Sequence, residues 1–153
     1  MRPPQAVLDG LRSRFGASGI ADPVREGYAH NGPVRLAYQV FGHAPQTLVL
    51  IPGWQIAHSR AYKFQVPYLA HWFRVVTFDA RGSGRSDRPE TGYDHDTLTA
   101  DALAVTDAAG VDRATLIAWS GGTNHAVMLA AEYPQRVTGL VLMGGAPSQA
   151  AGA

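Results

Sequence analysis

The stretch that most limits what this chain can become is Ala114-Thr115-Leu116-Ile117-Ala118-Trp119-Ser120-Gly121-Gly122, followed by a helical pattern from Thr123 to Glu132. A β-branched apolar strand, a serine among small residues, then a helix is the layout of a nucleophile elbow. Such an elbow forces its serine into a strained turn at the end of a sheet. Small residues are needed two before and two after it, because strand and helix backbones nearly touch there. Here those positions are Ala118 and Gly122, giving A-x-S-x-G where the usual form has glycine first. Alanine is small enough to fit.

The rest of the chain agrees with a strand–helix alternation. Asn31-Gly32 marks a tight turn between the alternating runs Arg25 to His30 and Val34 to Phe41, which predicts an antiparallel opening hairpin. Thr47 to Ile51 is continuously apolar apart from its first residue, as a strand covered on both faces would be. Pro52-Gly53 stops it. A helix is expected between Ser59 and Phe73, interrupted or restarted at Pro67. Val75 to Phe78 reads as another buried strand, followed by a glycine-, arginine- and proline-rich loop from Ala80 to Gly92. Asp96 is placed to cap a helix to about Ala109, with Gly110 just past its end. Pro134 stops the helix after Ser120, and Val137 to Met143 forms the last strand.

Apolar strands alternating with helices predict an α/β fold: a mostly parallel sheet with helices on both faces after the opening hairpin. The working residues of such sheets lie at the C-terminal ends of the strands. Three loops leave those ends, namely Pro52 to Ser59, Ala80 to Gly92 and Trp119 to Gly122. Residues 1–24 read as an extension or linker, in which Val7, Leu8, Leu11 and Phe15 can mark one short amphipathic helix. Residues 25–147 form the domain, and 148–153 a small-residue tail.

Composition removes several classes of function. The 13 basic and 12 acidic residues leave a formal net charge of +1, which offers nothing to nucleic acid or an anionic membrane. With no cysteine there is no disulfide, thiolate chemistry or cysteine-held metal. The start of the chain lacks the apolar run of a signal peptide, so a cytoplasmic protein is expected. No histidine pair at helical metal-ligand spacing has a third ligand beside it, so neither metal nor cofactor is expected.

On these motifs the chain resembles the N-terminal part of an α/β-hydrolase fold protein of the serine hydrolase branch, with about six of the fold's eight strands. The residues that carry the likeness are Ile51-Pro52-Gly53-Trp54, Asp79-Ala80-Arg81-Gly82-Ser83-Gly84-Arg85-Ser86, Ala118 to Gly122, and Ala130 to Val137. The resemblance implies that Ser120 is the nucleophile and that the backbone N–H groups of Gly121 and Trp54 hold the oxyanion. It implies acyl transfer to water from an ester or similar small apolar substrate. Trp54 and Trp119 would set aromatic surface around the site, and the Arg81 loop would be structural.

That resemblance also implies something missing. In this fold the triad runs serine, acid, histidine in chain order, and the chain ends about 30 residues after Ser120. The triad acid and histidine are therefore expected to be absent. Among the six histidines, His58 is the best substitute base, since it shares a loop with Trp54. His125 reads as packed or solvated; His30, His43, His71 and His95 read as surface. Asp79, Asp87 and Asp94 are expected to cap or to pair with Arg81, Arg85 and Arg88. An alternative reading is a truncated non-catalytic product or binding module that keeps the fold without the chemistry. In either case Val137 to Met143 would be an open, uncharged apolar edge that invites self-association.

Overall fold

The computed structural model describes residues 9–10, 22–53 and 59–145. Val7, Leu8, Leu11 and Phe15 of the expected N-terminal helix, Trp54, His58 and the 148–153 tail lie outside the described residues. The strands are β1 (Arg25–Asn31), β2 (Val34–Phe41), β3 (Thr47–Ile51), β4 (Arg74–Phe78), β5 (Ala114–Trp119) and β6 (Val137–Met143). The helices that place the site are α1 (Val66–Trp72), α2 (His95–Ala108) and α3 (Gly122–Glu132). The six strands form one sheet in the order β1-β2-β4-β3-β5-β6. β1, β2 and β4 pair antiparallel, and β4, β3, β5 and β6 run parallel.

The unbroken apolar runs follow from burial on both faces. Val49 and Ile51 of β3, Val76 and Phe78 of β4, and Leu116 and Ala118 of β5 pack into one core with Ala102 and Val105 of α2 and Ala126 and Leu129 of α3. Leu48 and Leu50 of β3 and Val75 of β4 point the other way, into a second core with Tyr62 and Val66. Alternate side chains thus serve opposite layers, and each position demands an apolar residue. Val49, Leu50 and Val76 are fully buried, a stabilisation of about 1.5–3 kcal/mol for each such side chain.

Two local details differ from the sequence expectation, the hairpin turn and the cap of α2. Asn31 pairs with Val34 across the hairpin, so the turn itself is Gly32-Pro33. Gly32 supplies the left-handed backbone, φ 58°, while the Asn31 amide donates to the Asp101 carboxylate at 2.8 Å. The helix α2 is capped by Asp94, not Asp96. Asp94 has extended backbone, and its carboxylate accepts from Thr97 N–H at 2.9 Å; Asp96 sits in the first turn. Gly110 follows the helix at φ 65°, as expected. Between Ser59 and Phe73, a 3-10 turn over Ser59–Tyr62 precedes α1, which restarts with Pro67 in its first turn.

Long-range polar bonds fix the loop after β4, with partners other than those expected. Arg81 forms a two-pronged ion pair with Asp101, 2.6 Å on each arm, with both side chains almost wholly buried. It also donates to the Gly92 carbonyl at 2.8 Å. Removing one member of such a pair typically costs about 3–5 kcal/mol, because the other is left charged and buried. Asp87 pairs with Arg35 and Arg85 with Glu26. Asp79 accepts backbone N–H groups from Ser59 and Arg85 at 2.6 and 2.9 Å. Capping and ion pairing account for these carboxylates, but sequence-distant residues share the work.

β6 is the outer strand on its side of the sheet. Leu140, Val141 and Leu142 are each 39–45% exposed. Since neighbouring residues of a strand face opposite sides, apolar surface is open on both faces as well as along the edge.

Candidate active site

Ser120 occupies the turn between β5 and α3 with φ 48°, and it is the sole non-glycine with positive φ among the described residues. For a residue with a Cβ this left-handed geometry costs on the order of 1–2 kcal/mol. The surroundings impose it. The Ser120 N–H donates to the Met143 carbonyl at the end of β6, 2.9 Å away. Its carbonyl accepts from Thr123 N–H at 3.0 Å and from the Thr123 hydroxyl at 2.6 Å. Both ends of the residue are therefore held, and the exposed hydroxyl is bonded to none of the described residues.

Backbone atoms crowd the glycines beside Ser120. A Cβ built on Gly122 would stand 2.6 Å from the Pro52 carbonyl oxygen and 3.0 Å from that of Ile51. One on Gly53 would stand 2.7 Å from the Trp119 carbonyl oxygen. Ala118 is fully buried beneath the turn. The end of β3 and the start of α3 thus touch through backbone. Gly121, the residue before α3, has no described acceptor for its N–H. Unpaired N–H groups at the start of a helix carry its positive end and suit an oxyanion.

The Pro52 loop and the Ser120 turn meet in the structure, while Trp54 and His58 lie outside the described residues. Trp119 does not stand over the serine as open aromatic surface. It stacks on Tyr62, ring centroids 5.0 Å apart, on the α1 side of the sheet. The Tyr62 hydroxyl reaches the Ile51 carbonyl at 3.4 Å. Burial raises its pKa to about 12 against an opposing hydrogen bond from the Gly53 backbone, so it stays protonated.

One arrangement has no counterpart in the sequence reading. His95 Nδ1 and His125 Nε2 lie 3.1 Å apart, joining the first turn of α2 to the first turns of α3. His125 is packed, at 8% exposure, whereas His95 is exposed. Burial first, then the neighbouring His95, pushes the His125 pKa down to about 4 against the pull of Asp101. His125 is therefore neutral at pH 7. The pair borders a cavity of about 390 Å³, lined by Ile51, Phe78, Ala80, Leu98, Gly121 and Asn124 among others. The 30-residue separation between these histidines, across a strand and two loops, left no local signal for their contact.

No group of three or more metal-ligating side chains is assembled among the described residues. No helix among them is long and apolar enough to cross a membrane.

Residues 46–152 match the alpha/beta hydrolase fold family, and the chain belongs to that family. A non-heme chloroperoxidase of Streptomyces lividans is 38% identical over 96 residues, covering 62% of this chain and 35% of the relative. A 2-hydroxy-6-oxononadienedioate/2-hydroxy-6-oxononatrienedioate hydrolase of Paraburkholderia phymatum is 36% identical over 123 residues, 76% of this chain and 43% of its own. Among solved structures, a bromoperoxidase from Bacillus anthracis superimposes with a TM-score of 0.73 at 30% identity, covering 80% of this chain and 45% of that one. The chain thus spans less than half the length of the relatives it matches.

Because His125 is held neutral, the folded chain resists a proton that the unfolded chain accepts near pH 6.5. Its contribution to stability is whole above pH 6.5 and falls as the pH drops toward about 4, the folded value. Urea unfolding of the wild-type chain and His125→Gln should show this in their difference. The wild-type midpoint is expected to fall more steeply than the variant's over that window, whereas parallel curves would contradict the assignment.

Proposed function

We propose that the protein is a serine hydrolase that moves an acyl group from an ester or similar small apolar substrate to water. The strained, unbonded hydroxyl of Ser120 beside the unpartnered N–H of Gly121 is the observation that carries this reading. Ser120 Oγ attacks the carbonyl carbon, forming a C–O bond as the carbonyl π electrons move onto oxygen. The Gly121 N–H stabilises that oxyanion, and the Trp54 N–H is its second donor. Collapse expels the alcohol, which takes up the serine proton; attack by water then frees the acid and restores Ser120.

The triad acid and imidazole are proposed to come from sequence outside these 153 residues. His125 is engaged with His95, and no described histidine bonds Ser120. Loss of the histidine alone costs on the order of 10⁶ in kcat in a serine protease. Oxyanion donors and binding leave roughly 10³ over water. The relatives' names divide between peroxidases and hydrolases; an unbonded serine hydroxyl beside an unpartnered N–H supports the hydrolytic reading, since acyl transfer needs a nucleophile and an oxyanion donor.

A fluorophosphonate probe tests the nucleophile. The folded 153-residue chain should be labelled slowly at Ser120, and Ser120→Ala should not be labelled. Equal labelling of the two, or none after a day from a chain folded by circular dichroism, would contradict the assignment. We further propose that this chain self-associates through β6, whose open edge carries no charge in Val137 to Met143. Light scattering at tens of micromolar should give a dimer or larger species; a clean monomer would overturn this.

A further inference from the structure

We propose that the cavity between the N-terminal ends of α2 and α3 receives the acyl chain of the substrate, and that this chain is short, apolar and carries one hydroxyl. The inference rests on the reading of Ser120 as the nucleophile and names the substrate class for that site.

Position is the first argument. Gly121 lines the cavity, and its N–H has no described acceptor. A carbonyl oxygen held on that N–H puts one substituent of the carbonyl carbon on the cavity side. The volume of about 390 Å³ falls within the range of small-molecule sites. Ile51, Phe78, Ala80 and Leu98 give it apolar walls, which suit a hydrocarbon chain and reject a charged one.

The polar side chains of the lining supply the second argument. The contact between His95 and His125 uses one ring nitrogen of each. Nδ1 of His125 has no partner among the described residues, and neither does the side-chain amide of Asn124. Both residues line the cavity. If His125 Nε2 accepts from His95, the neutral ring carries its proton on Nδ1 and offers a donor. If Nε2 donates, Nδ1 offers a lone pair. A hydroxyl answers either tautomer, because it both donates and accepts; a ketone oxygen answers only the first. A carboxylate would add negative charge beside Asp94 and Asp101, which also line the cavity. Of these two, Asp101 is paired with Arg81, while Asp94, held ionised by hydrogen bonds from Thr97, keeps the negative charge that a carboxylate would meet.

Unreactive ketone analogues of the ester test this on the 153-residue chain without chemistry. Titration with 5-hydroxypentan-2-one should produce saturable NMR shifts at the Leu98 methyls and the His125 ring. Pentan-2-one should bind about tenfold more weakly, for want of the hydroxyl's hydrogen bond. Filling the cavity with Leu98→Trp should weaken binding at least about tenfold, and Ala80→Leu gives the same reading if that variant does not fold. Absence of saturable shifts, equal affinity for the two ketones, or binding untouched by the filling variants would each overturn the inference. Ketone binding without Ser120 labelling would remove the nucleophile reading and leave the cavity as a ligand site. Ser120 labelling without ketone binding would remove this inference alone.

Discussion

Backbone contact between the end of β3 and the start of α3 is the constraint on which the site depends. With the Pro52 carbonyl oxygen 2.6 Å from where a Gly122 Cβ would stand, and the Trp119 carbonyl oxygen 2.7 Å from that of Gly53, no side chain separates the two segments. A helix starting this close to the sheet leaves a single residue to reverse the chain. Ser120 makes that reversal in left-handed backbone and is pinned by Met143 on one side and Thr123 on the other. The strain is held by bonds that belong to the sheet and the helix. The hydroxyl and the Gly121 N–H stay uncommitted to any described residue, which is what the proposed acyl transfer asks of them.

Buried electrostatics hold the neighbouring loop in place. Arg81 leaves the end of β4 and closes on Asp101 in the middle of α2, while Asn31 from β1 bonds the same carboxylate. One cluster therefore ties hairpin, loop and helix together on the side of the sheet where the His95–His125 cavity lies. The cavity lies beside the first turns of α2 and α3, which two imidazoles bridge.

Much of this was legible in the chain because it rests on local chemistry. The runs at Thr47 to Ile51 and Val75 to Phe78 read as doubly covered strands, since a residue facing either layer meets an apolar core. The serine turn was legible from Ala118 and Gly122, whose smallness answers a steric demand within a few residues. Pairings across the fold were not legible. Arg81 has three aspartates near it in sequence, yet it reaches Asp101 in the next helix. Asp96 and Asp94 are both plausible caps, and only the backbone angle at Asp94 decides between them. From sequence Trp119 reads as surface for a substrate, but its alternation along β5 turns it toward Tyr62.

Amide hydrogen exchange across residues 114–124 tests the central claim most directly, because the turn divides two adjacent N–H groups. Ser120 donates to Met143 across the sheet, whereas Gly121 donates to nothing described. Strong protection at Ser120 beside near-intrinsic exchange at Gly121 is the result expected of a preformed turn with a vacant donor. Protection at Gly121 equal to that at Ser120, or rapid exchange at both, would contradict it.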